Sequence, residues 1–93
     1  MAKRIYLVED EQSLNVLLEK YLRNEGYDVT TFFDGSCAKK RIKDMPDLWI
    51  LDIMLPDIDG YELIKYIKQN NKNTPVIFMS ARNEELDRVV GLE

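Results

Sequence analysis

Hydrophobic and polar positions follow two different periods along this chain. Short runs of bulky apolar residues recur between polar segments, and such runs are typical of β-strands. The segments between them carry apolar residues three and four positions apart, which is the spacing of an amphipathic helix. The apolar runs predict four strands, at Arg4–Val8, Asp28–Phe33, Leu48–Leu51 and Val76–Met79.

The predicted helices alternate with these strands. Gly26 is placed to end the first helix in a left-handed conformation. A second, weaker helix is predicted from Gly35 to about Lys43, a third after Gly60, and a fourth over Asn83–Glu93. Strands that alternate with helices through right-handed connections predict a layered α/β sheet. The apolar stripes of the first and third helices are Leu14, Leu17, Leu18, Tyr21 and Leu22, and Leu63, Ile64 and Ile67.

Composition narrows the class of protein. The chain has 93 residues, 17 acidic against 13 basic, with no histidine and a single cysteine, Cys37. A net charge of −4 without a basic stripe argues against direct nucleic-acid binding. The lone cysteine and the lack of histidine exclude a disulfide framework, a zinc site and histidine acid–base catalysis. Because no apolar run approaches the ~20 residues that span a bilayer, we expect one small cytoplasmic domain without membrane contact.

Acidic side chains directly follow two of the predicted strands. Glu9 and Asp10 come after the first strand and Asp52 comes after the third, while Ser80 follows the fourth. The carboxyl ends of parallel strands share one edge of a sheet, so these side chains should meet there. Three carboxylates in one pocket repel each other, and Mg²⁺ would neutralise them. A carboxylate beside Mg²⁺ is a competent nucleophile towards phosphorus, and Ser80 would donate a hydrogen bond to the new phosphate.

The loop after Asp52 is dense in turn residues. Asp57 and Asp59 are predicted to serve this turn and the start of the third helix, where an acidic side chain is favourable. The alternative for Asp52 is an acid that merely ends a strand.

Three blocks of sequence resemble the receiver domain of two-component response regulators. IYLVEDE resembles that family's first strand and acidic pair, LDIMLPDIDGYEL its phosphorylation loop, and PVIFMSAR its fourth strand with the switch residue. The blocks follow the family's order and spacing from Lys3 to the last residue. LPDIDG is most similar to the OmpR/PhoB-type regulators, in which a winged-helix DNA-binding domain follows. The resemblance implies a doubly wound, flavodoxin-like parallel sheet with strand order 2-1-3-4-5.

The resemblance also implies a role for each acidic residue. Asp52 would accept the phosphoryl group from a sensor histidine kinase. Asp10 and Asp52 would hold Mg²⁺ through their side chains, and Met54 would hold it through its backbone carbonyl. Glu9 would act mainly through a bound water, since the family more often has Asp at that position.

Two further residues and the overall function follow from the same resemblance. Ser80 would be the switch hydroxyl, and Ala81 would be small enough to leave room for the phosphate. The chain would be a signalling domain that assists only its own phosphorylation and dephosphorylation, not an enzyme acting on other substrates. It would control an output, expected to be DNA-binding transcription regulation, and homodimers are possible in this family.

The chain departs from the family pattern at its C-terminal end. The family has a fifth strand with a lysine that pairs with the phosphate, a switch aromatic and a fifth helix, and Glu93 comes before any of them. We therefore expect residues 1–93 to be a C-terminally incomplete receiver domain, with Val76–Met79 as an unpaired edge that favours association. Lys72 cannot replace that lysine, because it lies before the fourth strand.

Three other classes compete with this interpretation. A haloacid-dehalogenase-type phosphatase needs a second Asp two residues after the nucleophile, where this chain has Met54. A nucleotide-binding enzyme needs a glycine-rich loop after the first strand, where Glu9, Asp10 and Glu11 stand instead. The stronger alternative is a module of receiver fold that binds partners without being phosphorylated.

Overall fold

The computed structural model describes residues 2–79 and 90–92. Its centre is a sheet of four parallel strands in the order β2-β1-β3-β4. The strand order and direction predicted for these four strands are confirmed, and they agree with the predicted flavodoxin-like arrangement. The strand bounds are β1 Arg4–Val8, β2 Asp28–Phe32, β3 Leu48–Asp52 and β4 Val76–Met79.

Helices cover both faces of this sheet. They are α1 (Gln12–Asn24), α2 (Gly35–Lys39) and α3 (Gly60–Asn70), with a 3₁₀ turn at Ile42–Asp44. Because successive side chains of a strand point to opposite faces, the apolar residues of the strands contribute to two hydrophobic cores, one on each face of the sheet. The larger core packs α2 and α3 against one face, and the smaller core packs α1 against the other. The larger core is Tyr6, Val8, Phe32, Ala38, Ile42, Trp49, Leu51, Leu63, Ile67, Val76 and Phe78.

The apolar stripe predicted for α1 is only half correct. Leu18 and Leu22 are half-buried and pack on the smaller core, as predicted. Leu17 and Tyr21 lie on the open side of the helix, where 62% and 61% of their surfaces are exposed. The helix is turned so that Asn15 faces the sheet instead and is fully buried. A hydrogen-bonded polar residue therefore takes a place on the buried face that periodicity assigns to apolar ones.

The second helix is shorter than its sequence predicts. It ends at Lys39 instead of continuing to about Lys43, and the chain then forms the 3₁₀ turn. One tertiary and one local contact explain the change: Asp44 accepts a hydrogen bond from the distant Tyr6 hydroxyl and another from the nearby Arg41 Nε. Met45 then adopts a left-handed conformation with φ of 54°. These contacts hold the segment in a tighter path than a regular helix allows.

The far edge of the sheet also differs from expectation. Val90–Leu92 forms a three-residue strand, β5, that pairs antiparallel with β4. The sequence predicts a helix for these residues and an unpaired edge at Val76–Met79, and both predictions are wrong here. Valine and glycine are poor helix formers, and β4 offers an open row of backbone donors and acceptors. The parallel fifth strand of the expected order is not seen among the described residues, and the rest of the predicted fourth helix lies outside them.

The strand register sets the position of the acidic residues. Val8, the last residue of β1, pairs with Leu51 of β3. Glu9, directly after β1, and Asp52, at the end of β3, therefore lie side by side at the carboxyl edge of the sheet. Along the part of the chain that the structure describes, no helix has the length and apolar character to cross a bilayer.

Gly60 lets α3 begin directly against the end of β3. The Gly60 N–H donates to the Ile53 carbonyl at 3.0 Å. A Cβ at Gly60 would lie 2.8 Å from Ile53 Cα and 2.9 Å from the Asp52 carbonyl oxygen, both of them backbone atoms. The absence of a side chain at this position brings the start of α3 next to Asp52.

Gly60→Ala should therefore lower the free energy of unfolding by about 1–3 kcal/mol, the usual cost of overpacking. Denaturant unfolding of the full-length protein measures this change. Lys65→Ala, at an exposed position of the same helix, is the matched control and should stay within about 0.5 kcal/mol of the wild type. Equal stability of the two variants would show that α3 can move away from β3 without loss.

Candidate functional site

Three carboxylates meet at the carboxyl edge of the sheet. Glu9 and Asp10 follow β1, and Asp52 is the last residue of β3. One carboxylate oxygen from each residue lies within 4.8 Å of the others. Glu9 and Asp52 are each 1% exposed, while Asp10 is half-buried. The sequence prediction that these acids share one pocket is confirmed.

Backbone N–H groups orient two of these carboxylates. The Met54 N–H donates to Asp52 Oδ1 at 3.0 Å, and the Glu11 N–H donates to Glu9 Oε2 at 2.9 Å. Each bond reaches back two residues from a loop to the end of the preceding strand. The loops that follow β1 and β3 therefore fix the directions of the carboxylates that they flank.

The pocket favours a proton on Glu9. Burial raises the pKa of the Glu9 carboxyl from its ordinary value of 4.5 to about 7, and the negative charges of Asp52 and Asp10 add to the rise. The hydrogen bond from the Glu11 N–H opposes this shift. Three acids in one buried pocket thus make a strongly negative site that attracts either protons or cations.

The donor atoms of this pocket suit a hard divalent cation. All three side chains offer carboxylate oxygens, which Mg²⁺ prefers to nitrogen or sulfur. Glu9 Oε1 is buried, and no N–H or O–H group of the described residues donates to it. Unpaired buried oxygens of this kind carry a desolvation penalty, which a cation or a water bound to it would remove. The residues present therefore fit Mg²⁺.

Comparison with known proteins identifies the family. The sequence model of the response regulator receiver domain family matches residues 5–93, which is nearly the whole chain. The chain belongs to the response regulator receiver family. It is accordingly a receiver domain, and accepting a phosphoryl group is the standard function of such domains.

Curated relatives of this receiver domain are transcriptional regulators. The chain is 59% identical over 93 residues to the transcriptional regulatory protein CssR of Bacillus subtilis, and the match covers 100% of this chain and 41% of CssR. It is 44% identical over 94 residues to the alkaline phosphatase synthesis transcriptional regulatory protein PhoP of the same organism, of which 39% is covered. The chain therefore spans about two fifths of these relatives, which are OmpR/PhoB-type regulators.

A solved receiver domain shares both the fold and the type of site. The receiver domain of the sensor histidine kinase PA1611 from Pseudomonas aeruginosa superposes with a TM-score of 0.84 at 32% identity, and the match covers 95% of this chain and 75% of that one. That structure is described with a magnesium ion coordinated in its active-site cleft.

Other predicted site residues have different outcomes. Met54 lies at the start of the loop after β3, next to the acidic pocket through its N–H bond to Asp52. Ser80 and Ala81 lie outside the described residues, so their roles stay predictions. Lys72 lies in the turn before β4, at the opposite end of that strand from the acidic edge. It is therefore not placed to pair with a phosphate on Asp52.

Asp59 and Asp57 serve two different helices. Asp59 caps α3 as predicted, because its carboxylate accepts a hydrogen bond from the Tyr61 N–H at 3.0 Å. The Asp57 carboxylate instead accepts hydrogen bonds from Gly35 and Ser36 at the start of α2. Asp57 therefore serves the turn, as predicted, but its hydrogen bonds go to the start of α2 and not to the start of the third helix.

Asn15 is a site residue that sequence reasoning misses. Its Nδ2 donates to the Glu9 carbonyl at 2.9 Å and to the Phe32 carbonyl at 3.2 Å. It thereby joins the carboxyl ends of β1 and β2 beneath the acidic pocket. The only signal in the sequence is a polar residue beside an apolar stripe, and many exposed residues give the same signal.

Proposed function

We propose that this receiver domain accepts a phosphoryl group on Asp52 in a Mg²⁺-dependent reaction. The observation that carries the proposal is the buried cluster of Glu9, Asp10 and Asp52, whose carboxylate oxygens lie within 4.8 Å of one another. Asp10 and Asp52 would bind Mg²⁺ through their side chains and Met54 through its carbonyl, while Glu9 would act through a bound water. When bound, Mg²⁺ offsets the negative charge on the transferring phosphoryl oxygens.

The chain's own residues supply the nucleophile and its orientation. A carboxylate oxygen of Asp52 attacks phosphorus, and the bond between phosphorus and the donor atom breaks. The leaving group takes the bonding electron pair and then a proton from solvent. The Met54 N–H holds Asp52 Oδ1 and so fixes the plane of the carboxylate before attack. Ser80 would donate to a phosphate oxygen, and Ala81 would leave space for it.

The family and its relatives support a proposal for the role in the cell. The phosphodonor would be a sensor histidine kinase, and residues 1–93 would be part of a receiver domain that controls a DNA-binding output, as the transcriptional regulators among the relatives suggest. The domain would promote only its own phosphorylation and dephosphorylation. We place it in the cytoplasm, where a kinase and DNA are both accessible.

We expect phosphorylation by a small-molecule phosphodonor to require Mg²⁺. Asp10→Asn should raise the Mg²⁺ concentration that gives half-maximal phosphorylation more than Glu9→Gln does. The reason is that Asp10 is assigned a direct contact with the ion and Glu9 a water-mediated one. Intact-mass measurement of the full-length protein over a Mg²⁺ titration gives the half-maximal concentration for each variant.

Two results would contradict the proposal. A mass gain without Mg²⁺, or an unchanged Mg²⁺ requirement in Asp10→Asn, would show that the acidic cluster is not the metal site. No gain under any condition would favour the alternative, a receiver module that binds partners without being phosphorylated.

A further inference from the structure

The loop between β3 and α3 has no regular secondary structure to hold it. Residues 53–59 contain bends but no helix or strand. This loop carries Met54, whose N–H fixes Asp52 Oδ1 and whose carbonyl belongs to the proposed Mg²⁺ ligands. Backbone hydrogen bonds hold only its first residue, Ile53, whose N–H donates to the Met79 carbonyl and whose carbonyl accepts from the Gly60 N–H. Beyond Ile53, side-chain contacts with other elements help to position the loop.

The Asp57 carboxylate supplies the polar part of those contacts. Its Oδ1 accepts a hydrogen bond from the Gly35 N–H at 2.8 Å. Its Oδ2 accepts from the Ser36 N–H at 2.9 Å and from the Ser36 hydroxyl at 2.5 Å. These three bonds, which we call the Asp57 latch, join residues 21 and 22 positions apart in the sequence. They fasten the loop after β3 to the start of α2.

Close packing strengthens the same contact. Gly35 is buried, and a Cβ at this position would lie 1.6 Å from Ile58 Cγ2. The Ile58 side chain therefore occupies the space that any other residue at position 35 would need. The Ser36 hydroxyl and the two backbone N–H groups lower the pKa of the Asp57 carboxyl, which keeps it charged and able to accept all three bonds at neutral pH.

A short and stiff segment links the latch to the metal site. Only Leu55 and Pro56 separate Met54 from Asp57. The proline ring fixes φ of Pro56 and restricts the backbone of the preceding residue as well. Leu55 is half-buried and packs against the larger core. Because few backbone torsions between Asp57 and Met54 can rotate freely, a displacement of Asp57 should also displace the Met54 backbone.

We propose that Asp57 is a positioning residue for the metal and phosphoacceptor site, acting through the Asp57 latch on the backbone of Met54. The inference rests on the function proposed above, because it assumes that Met54 and Asp52 belong to a Mg²⁺ site. Residues that orient metal ligands from behind typically change metal affinity by about 10–100-fold when they are removed.

Asp57→Ala should weaken Mg²⁺ binding by about tenfold and slow phosphorylation at low Mg²⁺ by a similar factor. A Mg²⁺ titration of the full-length protein, followed by Trp49 fluorescence or by calorimetry, measures the affinity. Asp57→Asn should lose less, because its single carbonyl oxygen can still accept the bonds from Ser36. This rescue separates positioning from a general loss of charge.

Asp34→Ala is the matched control. Asp34 caps the same helix through the Cys37 N–H at 2.8 Å, and none of its hydrogen bonds reaches the loop after β3. It should lower the melting temperature without changing Mg²⁺ affinity. Equal Mg²⁺ affinities for Asp57→Ala and Asp34→Ala would overturn the proposal, because the role of Asp57 would then be structural only.

The remaining outcomes are also decisive. If Asp57→Ala does not fold, Ser36→Ala removes only the hydroxyl bond of the latch, and it should weaken Mg²⁺ binding by less than the about tenfold expected for Asp57→Ala; no change would overturn the proposal. If the wild type is phosphorylated with Mg²⁺ and Asp57→Ala behaves identically, the latch proposal fails alone. If the wild type neither binds Mg²⁺ nor is phosphorylated, the proposed function fails and takes the latch proposal with it.

Discussion

Asp52→Asn should abolish phosphoryl transfer to the full-length protein. The asparagine amide is neutral and cannot supply the nucleophilic oxygen that forms an aspartyl phosphate. Intact-mass analysis of the wild type after treatment with a small-molecule phosphodonor and Mg²⁺ should find one phosphoryl group that is stable in acid and labile in base. The same treatment of Asp52→Asn should give no gain in mass.

Asp59→Asn is the control for this substitution. It makes the same chemical change in the loop that follows Asp52, and asparagine caps helices about as well as aspartate, so phosphorylation should be retained. We expect Asp52→Asn to stay folded, because removing one negative charge relieves repulsion with Glu9 and an amide can still hydrogen-bond to it. The metal-free Asp52→Asn protein should melt no lower than the wild type at neutral pH. A phosphoryl group that persists in Asp52→Asn, or that is found on Ser80, would disprove the assignment.

The second large effect is a dependence of metal-free stability on pH. Glu9 has a pKa of about 7 in the folded state against an ordinary value of 4.5. Between these values the folded state holds a proton that the unfolded state has lost. The stabilisation is therefore fully present below pH 4.5 and is lost as the pH rises through about 7. At 1.4 kcal/mol per pKa unit, the free energy of unfolding should fall by about 2–3 kcal/mol across this range.

The interval from pH 5 to pH 7.5 brackets the raised pKa of Glu9, to which the neighbouring Asp52 and Asp10 contribute. Hydrogen bonds to the Asp44 and Asp57 carboxylates lower their pKa values below 3.8. These two groups therefore change the free energy of unfolding only at lower pH. Hydrogen bonds with Asp34 and Asp44 raise the pKa values of Cys37 and Arg41 above their ordinary values, so these two groups change stability only at higher pH. Denaturant unfolding with a chelator present, at several pH values in this interval, measures the slope.

Glu9→Gln should flatten this slope and stabilise the metal-free protein at pH 7.5. Glutamine keeps the size and one carbonyl oxygen of glutamate but carries no titrating charge. If the wild type and Glu9→Gln show the same dependence between pH 5 and pH 7.5, Glu9 does not hold a proton in the folded state.

The acidic cluster could be predicted because it depends on sequence order and on one property of parallel sheets. The apolar runs of β1 and β3 are continuous and end in acidic residues, and parallel strands place their carboxyl ends at the same edge. That reasoning needs no knowledge of side-chain packing. It is sufficient to predict that Glu9, Asp10 and Asp52 lie close together. The register of Val8 with Leu51 agrees with this prediction.

Contacts between residues distant in sequence could not be predicted in this way. Periodicity could not show that α1 turns Asn15 towards the sheet, because two carbonyls from different strands, Glu9 and Phe32, determine that orientation. Local turn chemistry predicts a role for Asp57 in the turn and at the start of the helix that follows, but its hydrogen-bond donors lie at the start of α2. Similarly, the partner of β4 was missed because an open strand edge can pair with any segment that reaches it, whatever helical pattern that segment carries. The composition and order of the strands are enough to locate the acidic pocket, whereas the contacts that orient it arise only when separate elements pack together.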